Sequence, residues 1–286
     1  MWRAYQLIFR LRSPLHIGWG KVGNLQRTRP YVTGRAFWGA LTMRLTRDNA
    51  GAGPATDSRD YQRFGEQVNE DLAFTYFYPA TQAKGDYQVA WPWEKENLFR
   101  RRFLSSYQGT ALSAFHHSAA IGMLREVEFI SPYTLDTGEP VFLVGYIFER
   151  DGSKLAWREA LTRVQFGGER GYGWGDVGLI RPIDKVKDDV LFGGKVKFDG
   201  SADRVRIYVP ASEPLLAHTF ARNLPAQGEV EPLVGREWRS YNNLHRYTGQ
   251  HVEFVGVCFT PGSVVEQDLN LVIGEFGIWQ EINDNS

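Results

Sequence analysis

The chain of 286 residues holds a single cysteine, Cys258. That excludes a disulfide framework and any zinc site built on several thiolates. Cys258 lies in the apolar run from Phe254 to Phe259, so it reads as a buried core thiol. No run approaches the ~20 apolar residues of a membrane span. The opening MWRAYQLIFRLR alternates and carries three arginines, so it does not read as a signal peptide, and a cytoplasmic protein is expected. The motifs of several enzyme classes are also missing. There is no His-Glu-x-x-His helix, no Gly-x-Ser-x-Gly elbow and no phosphate loop ending in Gly-Lys-Ser/Thr. The acids do not cluster as a two-metal nuclease requires. No metal and no cofactor are expected.

Charge of one sign is missing from both ends. Residues 1–47 hold nine bases and no acid, while the last 26 residues, from Pro261, hold five acids and no Lys or Arg. The net charge is zero, so the asymmetry cancels in the total but not in space. An acid-free opening segment is the footprint of a face that meets a polyanion. Its bland counterpart is a solvated basic face.

Aromatic residues make up 14% of the chain, with nine tryptophans. Such an excess either fills a core or stacks on unpaired bases. The densest special stretch is Phe166–Gly175, FGGERGYGWG, in which half of the ten residues are glycine. Glycine permits positive φ and close backbone approach, so this loop is expected to turn amides inward as a nest for anionic oxygens. Arg170, Tyr172 and Trp174 would add charge and stacking planes.

Read in order, Trp2 to Arg12 alternates as a half-buried strand. Ser13 to Gly34 is a basic loop carrying His16, Lys21, Arg27 and Arg29. Gly34 then opens a helix with Phe37, Trp38, Leu41 and Leu45 on one side, and the free amides of its head favour phosphate. Phe74–Tyr78, Tyr87–Trp93, Leu124–Ile130 and Val141–Phe148 read as strands, and Lys154–Val164 as a helix before the glycine loop. This gives the order of a ferredoxin-like β-α-β-β-α-β unit with a long insertion. After Pro182 the chain turns β-rich, with one short helix expected over Pro210–Arg222. Two units follow: 1–182, carrying the glycine loop, and 183–286.

The paired histidines His116 and His117 are candidates for general acid–base chemistry on RNA, which needs groups titrating near neutral pH. Their bland counterpart is packing or capping.

Two segments together resemble a known family. LRSPLHIGWG followed by RPYVTGRAFWGAL, and FGGERGYGWGDV, are similar to the N-terminal signature and the glycine-rich loop of the CRISPR-associated RAMP superfamily. AAIGMLREVEFI and VFLVGYIF resemble its middle strands. The likeness covers residues 1 to 182. It implies an α+β fold: a ferredoxin-like (RRM-like) domain with insertions, then a smaller β-rich, degenerate ferredoxin-like lobe. Length and the early position of the glycine loop are most like the Cas five-type cap subunit of type III effector complexes. The resemblance then implies a non-catalytic subunit that grips the single-stranded 5′ tag of the crRNA. Its partners would be RAMP backbone subunits and the large subunit of the effector. RNA-binding residues would be His16, Gly18, Lys21, Arg27, Arg29, Arg35, Gly167, Gly168, Arg170, Tyr172, Gly173 and Trp174. Two alternatives stay open: a metal-independent endoribonuclease using His116 or His117 on repeat RNA, and a backbone subunit cleaving target RNA with Asp48, Asp57 or Asp60.

Overall fold

The computed structural model describes residues 1–51, 53–113, 118–119, 122–240 and 249–282. The fold is α+β. Its centre is an antiparallel sheet of β1 (Trp2–Leu11), β2 (Tyr78–Ala83), β3 (Phe142–Arg150) and β4 (Val177–Leu179), in the spatial order β4-β1-β3-β2. β1 runs beside β3 from Trp2↔Arg150 to Arg10↔Phe142, and beside β4 at Phe9↔Leu179. Helix α1 (Gly34–Asn49) lies between β1 and β2 in the chain, and α4 (Trp157–Ala160) between β3 and β4. That is the ferredoxin-like connectivity. The insertions hold α2 (Ser58–Asp71), α3 (Glu96–Phe103) and a side sheet. The side sheet has the order Gly18–Val22, Leu25–Thr28, Arg125–Ile130, Leu104–Gly109.

The alternation of β1 places Leu7, Phe9 and Leu11 in the core under the helices, with Phe37, Leu41, Trp157 and Phe166. β1 is not half-buried, as its pattern suggested. Trp2 and Ala4, on its other face, are buried against the second lobe with Tyr76, Tyr78 and Phe148. Their partners there include Leu191, Val196, Ile207 and Trp279. Much of the aromatic excess sits in this seam. The Tyr78 ring is 4.9 Å from that of Trp91 and 6.0 Å from that of Phe192, and Tyr146 is 4.8 Å from Phe192. Burying each such side chain contributes about 1.5–3 kcal/mol, so the second lobe is fastened to the sheet rather than tethered to it.

The described residues of the second lobe contain no α-helix. Eight strands form one sheet, with Val230–Glu237 and His251–Phe259 at one end and Val190–Leu191 at the other. The helix expected over Pro210–Arg222 is extended instead, with a bridge at Pro214↔Val264 and a short strand, Thr219–Phe220. Pro214 disfavours the α region for the residue before it, and Leu215, Leu216 and Ala217 are buried individually rather than along one helical stripe. The helix before the glycine loop is shorter than its pattern. α4 spans four residues and continues as a 3-10 turn, Leu161–Arg163. Among the described residues no helix is long and apolar enough to cross a membrane.

Candidate nucleic-acid interface

The glycine loop is a closed hairpin held at its base. Phe166 N donates to Gly175 O at 3.0 Å, and the Phe166 ring is buried edge-on to Phe9 at 5.3 Å. The loop is also bonded to the opening segment. Gly168 N donates to His16 O and Gly175 N to Pro14 O, each at 2.8 Å. Gly167, at φ +74°, packs so closely that a Cβ there would meet His16 O at 2.2 Å. Only glycine meets both demands.

Six amides of the loop have protein acceptors, Phe166 N among them. Besides Gly168 and Gly175, Tyr172 N and Trp174 N donate to Glu169 O, and Gly173 N donates to Arg170 O. These amides are turned to the chain's own carbonyls, and the run Glu169–Gly171 is the part of the expected nest with no backbone acceptor among the described residues. Arg170–Tyr172 form one 3-10 turn, flanked by Glu169 and Gly173 in the left-handed region, and this turn lifts Tyr172 into solvent, 72% exposed. Trp174 is half-buried, edge-on to Phe129 at 5.1 Å and to Tyr107 at 6.3 Å. Arg125, from the side sheet, lies over the Tyr172 ring at 5.2 Å and pairs with Glu169 at 3.3 Å.

The named bases separate into two groups. Lys21 lies on the exposed strand Gly18–Val22 and has no acid at ion-pair distance among the described residues. Next to it Trp19, 49% exposed, lies under the guanidiniums of Arg27 at 5.4 Å and Arg29 at 5.6 Å. Arg27 also reaches Glu128 at 3.9 Å, an acid that binds Arg100 at 2.5 Å. Arg29 and Arg35 turn to the second lobe. Arg29 makes a two-pronged pair with Glu231 at 2.7 and 3.0 Å. Arg35 bonds Glu237 at 2.9 Å, and a Cβ at Gly235 would overlap its guanidinium. The head of α1 is closed too, since a Cβ on Gly34 would sit 1.9 Å from Phe276 O. The expected phosphate site at this helix end is covered by second-lobe backbone.

His16 is buried, with Nδ1 2.7 Å from Glu128 O, wedged against Gly18 and Gly168. It braces the loop from beneath. His218 is fully buried between Tyr76 Oη at 2.8 Å and Glu231 at 2.6 Å. Burial lowers the pKa of His218, with Arg29 adding to this and the Glu231 hydrogen bond opposing it. Burial alone would raise Glu231, but hydrogen bonds from His218 and Arg29 outweigh it and bring the carboxyl down to about 2. His116 and His117 lie outside the described residues. Asp48 is held by Arg44 and Arg163, Asp57 caps α2 and pairs with Arg59, and Asp60 pairs with Arg63.

Glu237, His251 and Glu253 bring ligand-type atoms within 4.8 Å of one another. Arg35 and Arg239 already supply positive charge to Glu237. A cleft of about 820 Å³ opens between α1, α2 and the second lobe. Its walls mix Arg204, Arg236 and Arg239 with Glu66, Glu70 and Glu275, so no single-signed track for a polyanion runs through it.

No family model and no curated protein matches this chain. Some solved structures are similar to it. Among them are chains of type III-B Cmr-beta structures. One, in Cmr-beta bound to cognate target RNA and AMPPnP, state 1, is 13% identical with a TM-score of 0.49, over 91% of this chain and 85% of that one. Another, in Cmr-beta bound to cognate target RNA, is 12% identical with a TM-score of 0.48, over 91% and 86%. A third, from the apo state, is 11% identical with a TM-score of 0.39, over 65% and 98%. Likeness at this level assigns no role to any residue.

Sequence reasoning missed Trp19, Tyr107, Arg125 and Phe129. Trp19 sits inside the LHIGWG motif, and a tryptophan between Gly18 and Gly20 in the basic loop was the readable signal. The other three become relevant only because the side sheet folds against the loop.

Proposed function

We propose that this chain is a non-catalytic RNA-binding subunit of a type III CRISPR effector complex, holding the unpaired 5′ tag of the guide. In the same reading, residues 1–182 form the RNA-gripping unit and 183–286 a second lobe, and other faces meet backbone subunits and the large subunit. One observation carries the proposal. The glycine loop and the acid-free opening segment are bonded to each other through His16 and Pro14, so the two parts singled out for RNA form one surface. Around that junction stand exposed aromatic planes, Trp19 and Tyr172, with the cations Lys21, Arg27 and Arg125 beside them. Unpaired RNA is held by this combination of stacking and phosphate contact. Arg29 and Arg35 serve in this proposal by fixing the second lobe, and His16 by bracing the loop.

The test is binding of a short single-stranded RNA by the full chain at several salt concentrations. Log affinity is expected to fall against log salt by about 0.7 per phosphate contacted. Arg170→Ala combined with Trp174→Ala is expected to weaken RNA retention by roughly 1–3 kcal/mol per stacked base lost, with the fold intact by circular dichroism. A salt-independent affinity, or a double variant that binds like the parent, refutes the reading. Incubation with labelled repeat RNA in EDTA tests the endoribonuclease alternative. A discrete cut abolished by His117→Ala would establish it in place of the cap reading.

A further inference from the structure

The exposed edge of α1 that runs past the glycine loop carries more positive charge than the chain itself neutralises. Arg44, Arg47 and Asp48 lie on that edge, Arg163 comes from the turn after α4, and Arg170 comes from the loop. Asp48 is fully used. Its Oδ1 accepts from Arg44 at 2.5 Å and its Oδ2 from Arg163 at 3.0 Å. Arg163 also lies 4.0 Å from Glu159. For Arg47 and Arg170 no carboxylate stands at ion-pair distance among the described residues.

Arg170 is nonetheless fixed. Its Nε donates to Gly167 O at 3.0 Å, and its Nη1 rests 3.2 Å from Met43 Sδ. Met43 and Arg47 are one helical turn apart on α1, so the Arg170 guanidinium is laid over the turn that presents Arg47. Although the residue as a whole is exposed, contact with Met43 withdraws water from the guanidinium. Desolvation first, and the charge of Arg47 second, lower its pKa.

Arg47 alone has a simple explanation, since a base in the last turn complements the helix dipole. That does not account for a second guanidinium laid over the same helical turn, with no carboxylate at ion-pair distance from either arginine among the described residues. Like charges so placed repel, and the repulsion grows as water is withdrawn. An anion shared by the two removes it. Guanidinium forks match the oxygens of a phosphate two at a time. We propose that Arg47 and Arg170 form a phosphate-binding pair that takes one backbone phosphodiester of the bound RNA, so that the strand passes from the loop over the C-terminal half of α1. This rests on the RNA-binding reading above and adds Arg47, and a direction of travel, to it.

The experiment compares the full chain with Arg47→Ala and Arg47→Lys in the same salt series of single-stranded RNA binding. Arg47→Ala is expected to lower the log–log slope by about 0.7 and the affinity roughly tenfold, equally for RNAs of different sequence. Arg47→Lys is expected to restore the slope but not the whole affinity, because the fork is lost. If the parent binds RNA and Arg47→Ala binds with the same slope and affinity, the pair is overturned while the RNA-binding reading stands. If the parent binds no RNA, that reading falls, and the pair is tested by inorganic tripolyphosphate and heat denaturation. A rise in melting temperature for the parent that disappears in Arg47→Ala supports the pair. An equal rise in both, or none in either, overturns it.

Discussion

Arg29 and Lys21 are eight residues apart in one basic loop, yet the structure puts them to opposite uses. Arg29 faces the seam between the lobes and is matched there by Glu231, which His218 also holds. Lys21 faces solvent beside Trp19 with no acid at ion-pair distance among the described residues. The same contrast separates Arg35, paired with Glu237, from Arg47 and Arg170, which have no carboxylate at ion-pair distance among the described residues. In the seam, side chains are paired and the backbone is sheet. At the loop, the backbone is partly bonded to itself and exposed side chains are left over. A basic segment therefore does two jobs, and the acids of the second lobe decide which arginine does which. The two regions should fail differently when perturbed.

The largest effect belongs to the seam. Arg29→Ala leaves Glu231 with one fewer donor in a partly buried setting, and removing one member of such a pair costs about 3 kcal/mol. Urea denaturation should show the unfolding free energy fall by that amount. A loss below about 0.5 kcal/mol, the range of exposed pairs, would mean that the seam is no different from the loop face.

Acid should weaken the seam next. The Glu231 carboxyl is lowered from its usual value to about 2. Its contribution is therefore complete above the ordinary carboxylate pKa and is lost as pH falls through 4.5 towards 2. His218 is held neutral below its ordinary value of 6.5, so the unfolded chain binds the extra proton first and stability starts to fall from there. Both groups act in the same direction. The sum lost to Glu231, allowing for its partial contact with solvent, is about 2 kcal/mol. Unfolding free energies of the parent and Glu231→Gln, measured from neutral pH downwards, should converge. Parallel curves would refute the assignment.

How much of this was readable beforehand differs between the two regions. The loop was legible because its signals are local. Glycines in close sequence mark a turn, whether a plain chain reversal or a ligand-facing loop, and the alternation of Trp2–Arg12 and the spacing of Phe37, Leu41 and Leu45 gave strand and helix directly. The seam was not. Arg29 and Glu231 are 202 residues apart, as are Arg35 and Glu237. No periodicity announces a partner at that distance. The second burial of β1 was hidden for the same reason, since Trp2 and Ala4 are covered by strands that follow residue 190. How many amides the expected nest keeps free rests on a global fact too. Whether a glycine-loop N–H is free depends on where Pro14 and His16 place their carbonyls.

The smallest effect sharpens the contrast from the other side. Glu169 is the one acid in the glycine loop, and it holds Arg125 at 3.3 Å over the Tyr172 ring. Arg125 is 41% exposed at its side chain, so the pair resembles a surface bridge worth about 0.5 kcal/mol. Glu169→Gln keeps the left-handed backbone and the shape, and it deletes a negative charge next to the proposed RNA surface. Stability should fall by no more than about 0.5 kcal/mol, while affinity for single-stranded RNA should rise, most clearly at low salt, because Arg125 is released and a repulsive carboxylate is gone. At the seam the equivalent change removes a needed partner; here it removes a competitor. If Glu169→Gln weakened RNA binding without unfolding the chain, Glu169 would have to act as a positioning residue for Arg125, and the loop face would be organised by paired charge after all.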